Sequence, residues 1–108
     1  MSIMSLNKTL LLGFSLSVCA PALADVSASR QTELMNLLKQ DCGSCHGMTL
    51  KGGLGPALLP ATLDGKPADV LVHTILEGRP NTAMPPWKPM LSNEDAEWIA
   101  QQLKQGVK

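Results

Sequence analysis

Residues 29–46 read SRQTELMNLLKQDCGSCH, and the reading of this stretch decides the fold. Leu34, Leu37, Leu38 and Cys42 recur at helical spacing, which predicts an amphipathic helix over residues 29–41 with Ser29 as its N-cap. The helix runs directly into Cys42-Gly43-Ser44-Cys45-His46, a C-x-x-C-H pattern, and Gly43 and Gly47 are expected to loosen the chain around it. Several chemistries use paired cysteines. A dithiol redox pair belongs in a βαβ context, and no alternating strand pattern of useful length occurs here. A structural zinc site needs four ligands, and beyond Cys42, Cys45 and His46 the chain adds only His73, without the second ligand pair of a zinc module. A surface disulfide leaves His46 without a role.

The pattern is the signature of covalent haem attachment. Two thiols add across the two vinyl groups of the porphyrin, and the two-residue spacer matches their separation. His46 then lies beneath the iron, where an imidazole nitrogen can bind it. The opposite axial position takes Met or a second His in low-spin electron carriers. Met35 lies on the first helix, where core packing is the expected role. Met48 is too close to His46 to reach the far face, and His73 falls inside a helical stretch. Met84, in Ala83-Met84-Pro85-Pro86-Trp87, is the expected sixth ligand, because the prolines hold its loop extended and limit the freedom lost on fixing it. Met90, just before the last helix, is the alternative. Gly55-Pro56 is either an ordinary turn or the segment that sets a carbonyl against the free nitrogen of His46. Trp87 is expected at a haem edge, and Trp98 between the terminal helices.

Outward from the motif, glycines and prolines in residues 47–65 predict a loop. Pro67 suits the first position of a second helix, ADVLVHTILE its body and Gly78 its end. Four prolines make residues 79–91 a stiff, extended loop. Ser92-Asn93-Glu94-Asp95 is a capping-box pattern, after which Ala96, Ile99, Ala100 and Leu103 mark the core face of a last helix over residues 92–104, with Gly106 past its end.

Residues 1–24 are expected to be a cleaved signal peptide: Lys8 supplies the positive start, Thr9 to Val18 a short apolar run, and Ala22-Leu23-Ala24 the cleavage signal before Asp25. The apolar run is about half the roughly 20 residues that a spanning helix needs. Cys19 would suit a lipoprotein, but Val18 is bulky for such a signal, so Cys19 is expected to leave with the leader. Export places the domain of residues 25–108 in the periplasm, with no stable membrane insertion after cleavage. The formal charge of the chain is zero, which gives no electrostatic case for nucleic acid. A domain this small has a marginal core and needs a staple, and the cofactor is the staple expected.

The layout resembles class I cytochromes c over all of residues 25–108. Two stretches, DCGSCHGMTLKGGLGPAL at 41–58 and GRPNTAMPPWKPMLS at 78–92, are similar to the small periplasmic cytochromes c-55X, the nirC type encoded with the haem-d nitrite reductase of denitrifying bacteria. The resemblance implies an all-α small cytochrome c fold, three to five helices with long Gly/Pro-rich loops around one haem c. It implies attachment through Cys42 and Cys45, iron ligands His46 and Met84, and a Pro56 carbonyl accepting from His46. It further implies a monomeric electron carrier, not an enzyme, that works with redox partners and donates electrons to the nitrite reductase. Two other readings stay open: a redox factor in maturing that enzyme's haem d, and a haem-based ligand sensor with a labile sixth site.

Overall fold

The computed structural model describes residues 12–18 and 26–108. The expected cleavage signal, with Cys19, lies outside the described residues. Residues 12–18, the described part of the apolar run, are exposed and take no part in the core. Among the described residues there is no strand, and no helix is long and apolar enough to cross a membrane.

The first helix, α1, spans Ala28–Leu37. Its N-cap is Ser27, not Ser29: Ser27 is extended at φ −60° and ψ 154°, and its hydroxyl accepts from the Arg30 N–H at 3.2 Å. Ser29 lies inside the first turn, where it can only pair with the Ser27 hydroxyl, at 3.3 Å. The helix does not stop at Asp41. It passes through a π-helical segment, Leu38–Cys42, into a short α2, Gly43–His46. Gly43 is helical and buried, and its N–H donates to the Leu38 carbonyl, so the break falls at Gly47 alone, at φ 91°.

Residues 47–65 are not entirely loop. Pro60 opens one helical turn, α3, Pro60–Leu63, because proline suits a first helical position as well as it disrupts a later one. Leu63 anchors that turn in the core. Helix α4 spans Ala68–Glu77, with Pro67 as its extended N-cap and Gly78 at its end. Helix α5 spans Asn93–Gln105 behind the expected capping box, in which Ser92 Oγ accepts from the Asp95 N–H and the Asp95 carboxylate accepts from the Ser92 N–H, both at 3.1 Å.

The core gathers where α1 and α5 meet. Leu34, Leu38, Ile99 and Leu103 are joined by Leu50, Leu63 and Leu91 from the connections. Trp98 packs on this cluster beside α1, as expected. A second cluster pairs Val72 of α4 with Ala96 and Ala100 of α5; both alanines are fully buried, and their small side chains let the two helices approach.

One ion pair ties the first and last helices together. The Arg30 guanidinium on α1 grips Asp95 at the start of α5, Nη2 to Oδ2 at 2.8 Å and Nε to Oδ1 at 3.3 Å. The same Nη2 donates to the Met90 carbonyl at 3.2 Å, and Nη1 pairs with Glu33 at 2.8 Å. Asp95 is the one buried charged residue of the described chain, and a fork of two parallel hydrogen bonds is the geometry that best satisfies a desolvated carboxylate.

Arg30, helped by the Ser92 N–H, holds the Asp95 carboxyl below the usual carboxylate range. A carboxyl lowered by folding stabilises the fold above its unfolded pKa of about 3.9, and that contribution is lost as the pH falls through the lower folded value. Thermal melts across a pH series should therefore show the parent protein losing melting temperature more steeply below about pH 4 than Asp95→Asn does. Parallel curves for the two would remove Asp95 from the acid transition.

Candidate cofactor site

The end of the α1–α2 helix carries the C-x-x-C-H residues in one helical turn. Cys42, Cys45 and His46 are each half-buried. Ser44 turns outward and spends its hydroxyl on the Asp41 carbonyl at 2.7 Å. Burial, with the Asp41 carboxylate adding to it, pushes the Cys42 thiol up to about 11. An exchange-active dithiol requires the opposite shift, toward the thiolate, so the environment of Cys42 argues against thiol–disulfide chemistry.

The loop after α2 folds back onto the helix end. Gly55 N–H donates to the Cys45 carbonyl and Gly52 N–H to the His46 carbonyl, both at 2.8 Å, which satisfies acceptors that a helix C-terminus would leave open. This return brings the Pro56 carbonyl to the edge of the imidazole. His46 Nδ1 donates to the Pro56 carbonyl oxygen at 2.7 Å. The bond fixes the ring's orientation and tautomer and leaves Nε2 as the nitrogen available to a metal. Gly55 makes the approach possible: a β-carbon there would stand 2.9 Å from the ring's Nδ1 and Cε1.

Met84 comes from the connection between α4 and α5. Arg79-Pro80-Asn81-Thr82 forms a turn closed by the Thr82 N–H on the Arg79 carbonyl at 3.2 Å, with Asn81 at φ 63°. Proline followed by a residue of positive φ is the requirement of a type II turn. The chain then runs back along the end of α4. Arg79 N–H donates to the Met84 carbonyl at 3.2 Å, and the Trp87 and Lys88 N–H groups donate to the Ile75 and Leu76 carbonyls, each at 3.1 Å. Met84 is half-buried. Met90 is 62 % exposed, with its carbonyl turned to Arg30. Met48 is also exposed, and Met35 is half-buried on α1. His73 is exposed and lines a groove between α4 and α5, which none of the motif residues borders. Trp87 is half-buried against the core cluster that holds Leu91.

This donor set fits a covalently held haem. Two sulfurs and an imidazole share one helical turn, the imidazole is oriented by its outer nitrogen, and a thioether stands on a loop tied down by its own backbone. Sequence reasoning missed Gly55 as a spacer against His46, although Gly55-Pro56 had marked the segment. It missed Arg30, because a lone arginine in a helix carries no local signal of a partner 65 residues away.

Comparison with known proteins agrees with this assignment. Residues 29–102 match the family model described as cytochrome C oxidase, cbb3-type, subunit III. The chain is 57 % identical over 88 residues to cytochrome c55X of Pseudomonas aeruginosa, covering 80 % of this chain and 74 % of that one. It is 35 % identical over 96 residues to dihydro-haem d1 dehydrogenase of the same organism, covering 88 % of this chain but only 19 % of the dehydrogenase. Among solved structures it is similar to the c-type cytochrome NirC, with a TM-score of 0.74 at 57 % identity, covering 75 % of this chain and 95 % of the other. The family cofactor is haem c, and Cys42 and Cys45 stand at the attachment positions.

Protein exported from a host competent in haem attachment should keep its pigment through acid–acetone extraction. Replacing both Cys42 and Cys45 by alanine should release the pigment or leave the protein colourless. A double variant that still retains its colour would overturn covalent attachment.

Proposed function

The chain belongs to the cytochrome c55X family of c-type cytochromes, electron carriers rather than enzymes, and from that premise we propose a periplasmic carrier with His46 and Met84 as its axial ligands that donates electrons to the haem-d nitrite reductase. In this reading residues 1–24 are a cleaved signal peptide and residues 25–108 a monohaem domain. Haem c, when bound, supplies a one-electron iron couple.

The observation that carries the ligand assignment is the 2.7 Å bond from His46 Nδ1 to the Pro56 carbonyl, which commits one ring nitrogen and leaves the other for iron. Met84 is favoured over Met90 by burial: Met84 is half-buried and its carbonyl is held by the Arg79 N–H just past the end of α4, whereas Met90 is exposed. Joining Met84 to an iron on His46 closes a loop of 38 residues, with a chain-length entropy of roughly 3 kcal/mol. The hydrogen bonds of Trp87 and Lys88 hold the loop on α4 and that of Arg79 closes it on itself, all independently of the thioether, and Pro85 and Pro86 stiffen what lies between them. Much of the ordering cost is thus met by the protein itself, and the sulfur need offset only the remainder. Thioether ligation opposite imidazole favours the ferrous state and raises the potential.

A second reading is favoured by the match to dihydro-haem d1 dehydrogenase, in which one short stretch of that protein resembles nearly all of this chain. Here the carrier serves the redox chemistry of haem d maturation instead of nitrite reduction.

Three measurements test the ligand, the partner and the state of the sixth site in turn. The ferric protein should show the sulfur–iron charge-transfer band at the red end of the spectrum, lost in Met84→Ala and kept in Met90→Ala; the reverse pattern would make Met90 the ligand. Reduced protein mixed with purified nitrite reductase in stopped flow should be oxidised on the enzyme's turnover timescale. No oxidation would rule out direct donation and leave maturation. Rapid carbon monoxide binding by the ferrous parent would point instead to a labile sixth site.

A further inference from the structure

Gly78 ends α4, and the chain that packs against it is the segment that carries Met84. Gly78 is buried and sits at φ 67°. A β-carbon built on it would stand 2.7 Å from the Met84 carbonyl oxygen, 2.7 Å from the Pro85 carbonyl carbon and 2.8 Å from the Pro86 nitrogen. All three are main-chain atoms, so no side chain can swing aside to make room. The segment cannot easily retreat either. Arg79 N–H holds the same Met84 carbonyl, and Trp87 and Lys88 fasten its far end to the Ile75 and Leu76 carbonyls. Between these anchors lie two prolines with no N–H to donate and little freedom to rearrange.

We propose that Gly78 is a positioning residue for the sixth ligand: its bare Cα sets how closely the Met84-Pro85-Pro86 backbone seats on α4, and so whether the Met84 sulfur reaches iron. This rests on the reading of Met84 as that ligand. Any side chain at position 78 lifts the segment off the helix, and the sulfur moves with it. Gly78 therefore does more than end a helix. A left-handed residue is needed for the turn, but the absence of a β-carbon is needed for the ligand.

Gly65 separates these two duties. Its φ of 73° is close to that of Gly78, yet a β-carbon there meets nothing within 4 Å. Gly65→Ala bears the cost of a positive φ without a collision, whereas Gly78→Ala bears the collision and a backbone, at φ 67° and ψ −167°, that only glycine adopts freely. Gly78→Asn keeps the collision, and asparagine is among the non-glycine residues that best accept a positive φ, so it serves as the second variant should Gly78→Ala fail to fold, although the extended ψ of −167° strains it too.

The test uses the haem-loaded chain and reads the ferric sulfur–iron charge-transfer band together with the binding of free imidazole. Apparent affinity for an outside ligand scales with the fraction of molecules whose sixth position is open, so Gly78→Ala and Gly78→Asn should bind imidazole at least about tenfold more tightly and lose most of the band. Gly65→Ala should match the parent in both readouts and differ only in melting temperature. In a Met84→Ala background, adding Gly78→Ala should alter imidazole binding by less than about twofold, because its effect runs through the missing sulfur. A parent-like band and imidazole affinity in the folded Gly78 variants would overturn the proposal. A band that survives Met84→Ala would overturn the ligand reading beneath it.

Discussion

The fold answers to one constraint: two sulfurs and an imidazole leave the same helical end, within five residues of chain. A helix C-terminus has unpaired carbonyls, and the returning loop meets them with the N–H groups of Gly52 and Gly55. That return in turn delivers the Pro56 carbonyl to His46. Capping the helix and orienting the imidazole are therefore done by the same loop. The glycines in the loop are there for close approach, since a side chain at position 55 would occupy the ring's own space.

Opposite this rigid half stands one assembled from distant parts. Arg30 reaches from α1 to the capping box of α5 and to the Met90 carbonyl, so a single guanidinium links the N-terminal helix, the C-terminal helix and the end of the connection that carries Met84. The capping box and the ion pair share one carboxylate: Asp95 completes the cap through the Ser92 N–H and fastens α1 through Arg30. In a domain with so little apolar interior, such shared use of a few groups replaces the bulk of a larger core.

How much of this could be read from the sequence follows from the range of each interaction. The last helix was legible down to its cap, because Ser92, Asp95 and the Ala96–Leu103 periodicity all act within a few turns. The C-x-x-C-H residues were legible because attachment chemistry fixes their spacing. Pro56 was legible only in part: Gly-Pro announces a turn, while its contact with His46 depends on where the loop returns. Two serines precede Arg30 at capping distance of the first turn, and only the backbone angles select Ser27 over Ser29. Pro60 was read as a breaker, although the same ring opens α3. Arg30 with Asp95, and Gly78 with Met84 to Pro86, lay beyond reach, since each partner belongs to another part of the chain and leaves no mark beside the residue.

The π-helical segment Leu38–Cys42 has a consequence for how this chain can change over time. A wide turn accommodates one residue more than an α-turn would over the same rise, and each residue of an α-helix advances the face by about 100°. The spacing between Leu38, fixed in the core, and Cys42 of the attachment motif is therefore a matter of counting and not of residue type. Lys39, Gln40 and Asp41 are exposed and open to replacement by other polar residues. Losing or gaining a single codon among them would swing both sulfurs and the imidazole around the helix axis, away from the Pro56 carbonyl that orients His46. Along this segment the chain tolerates a change of spelling more readily than a change of length.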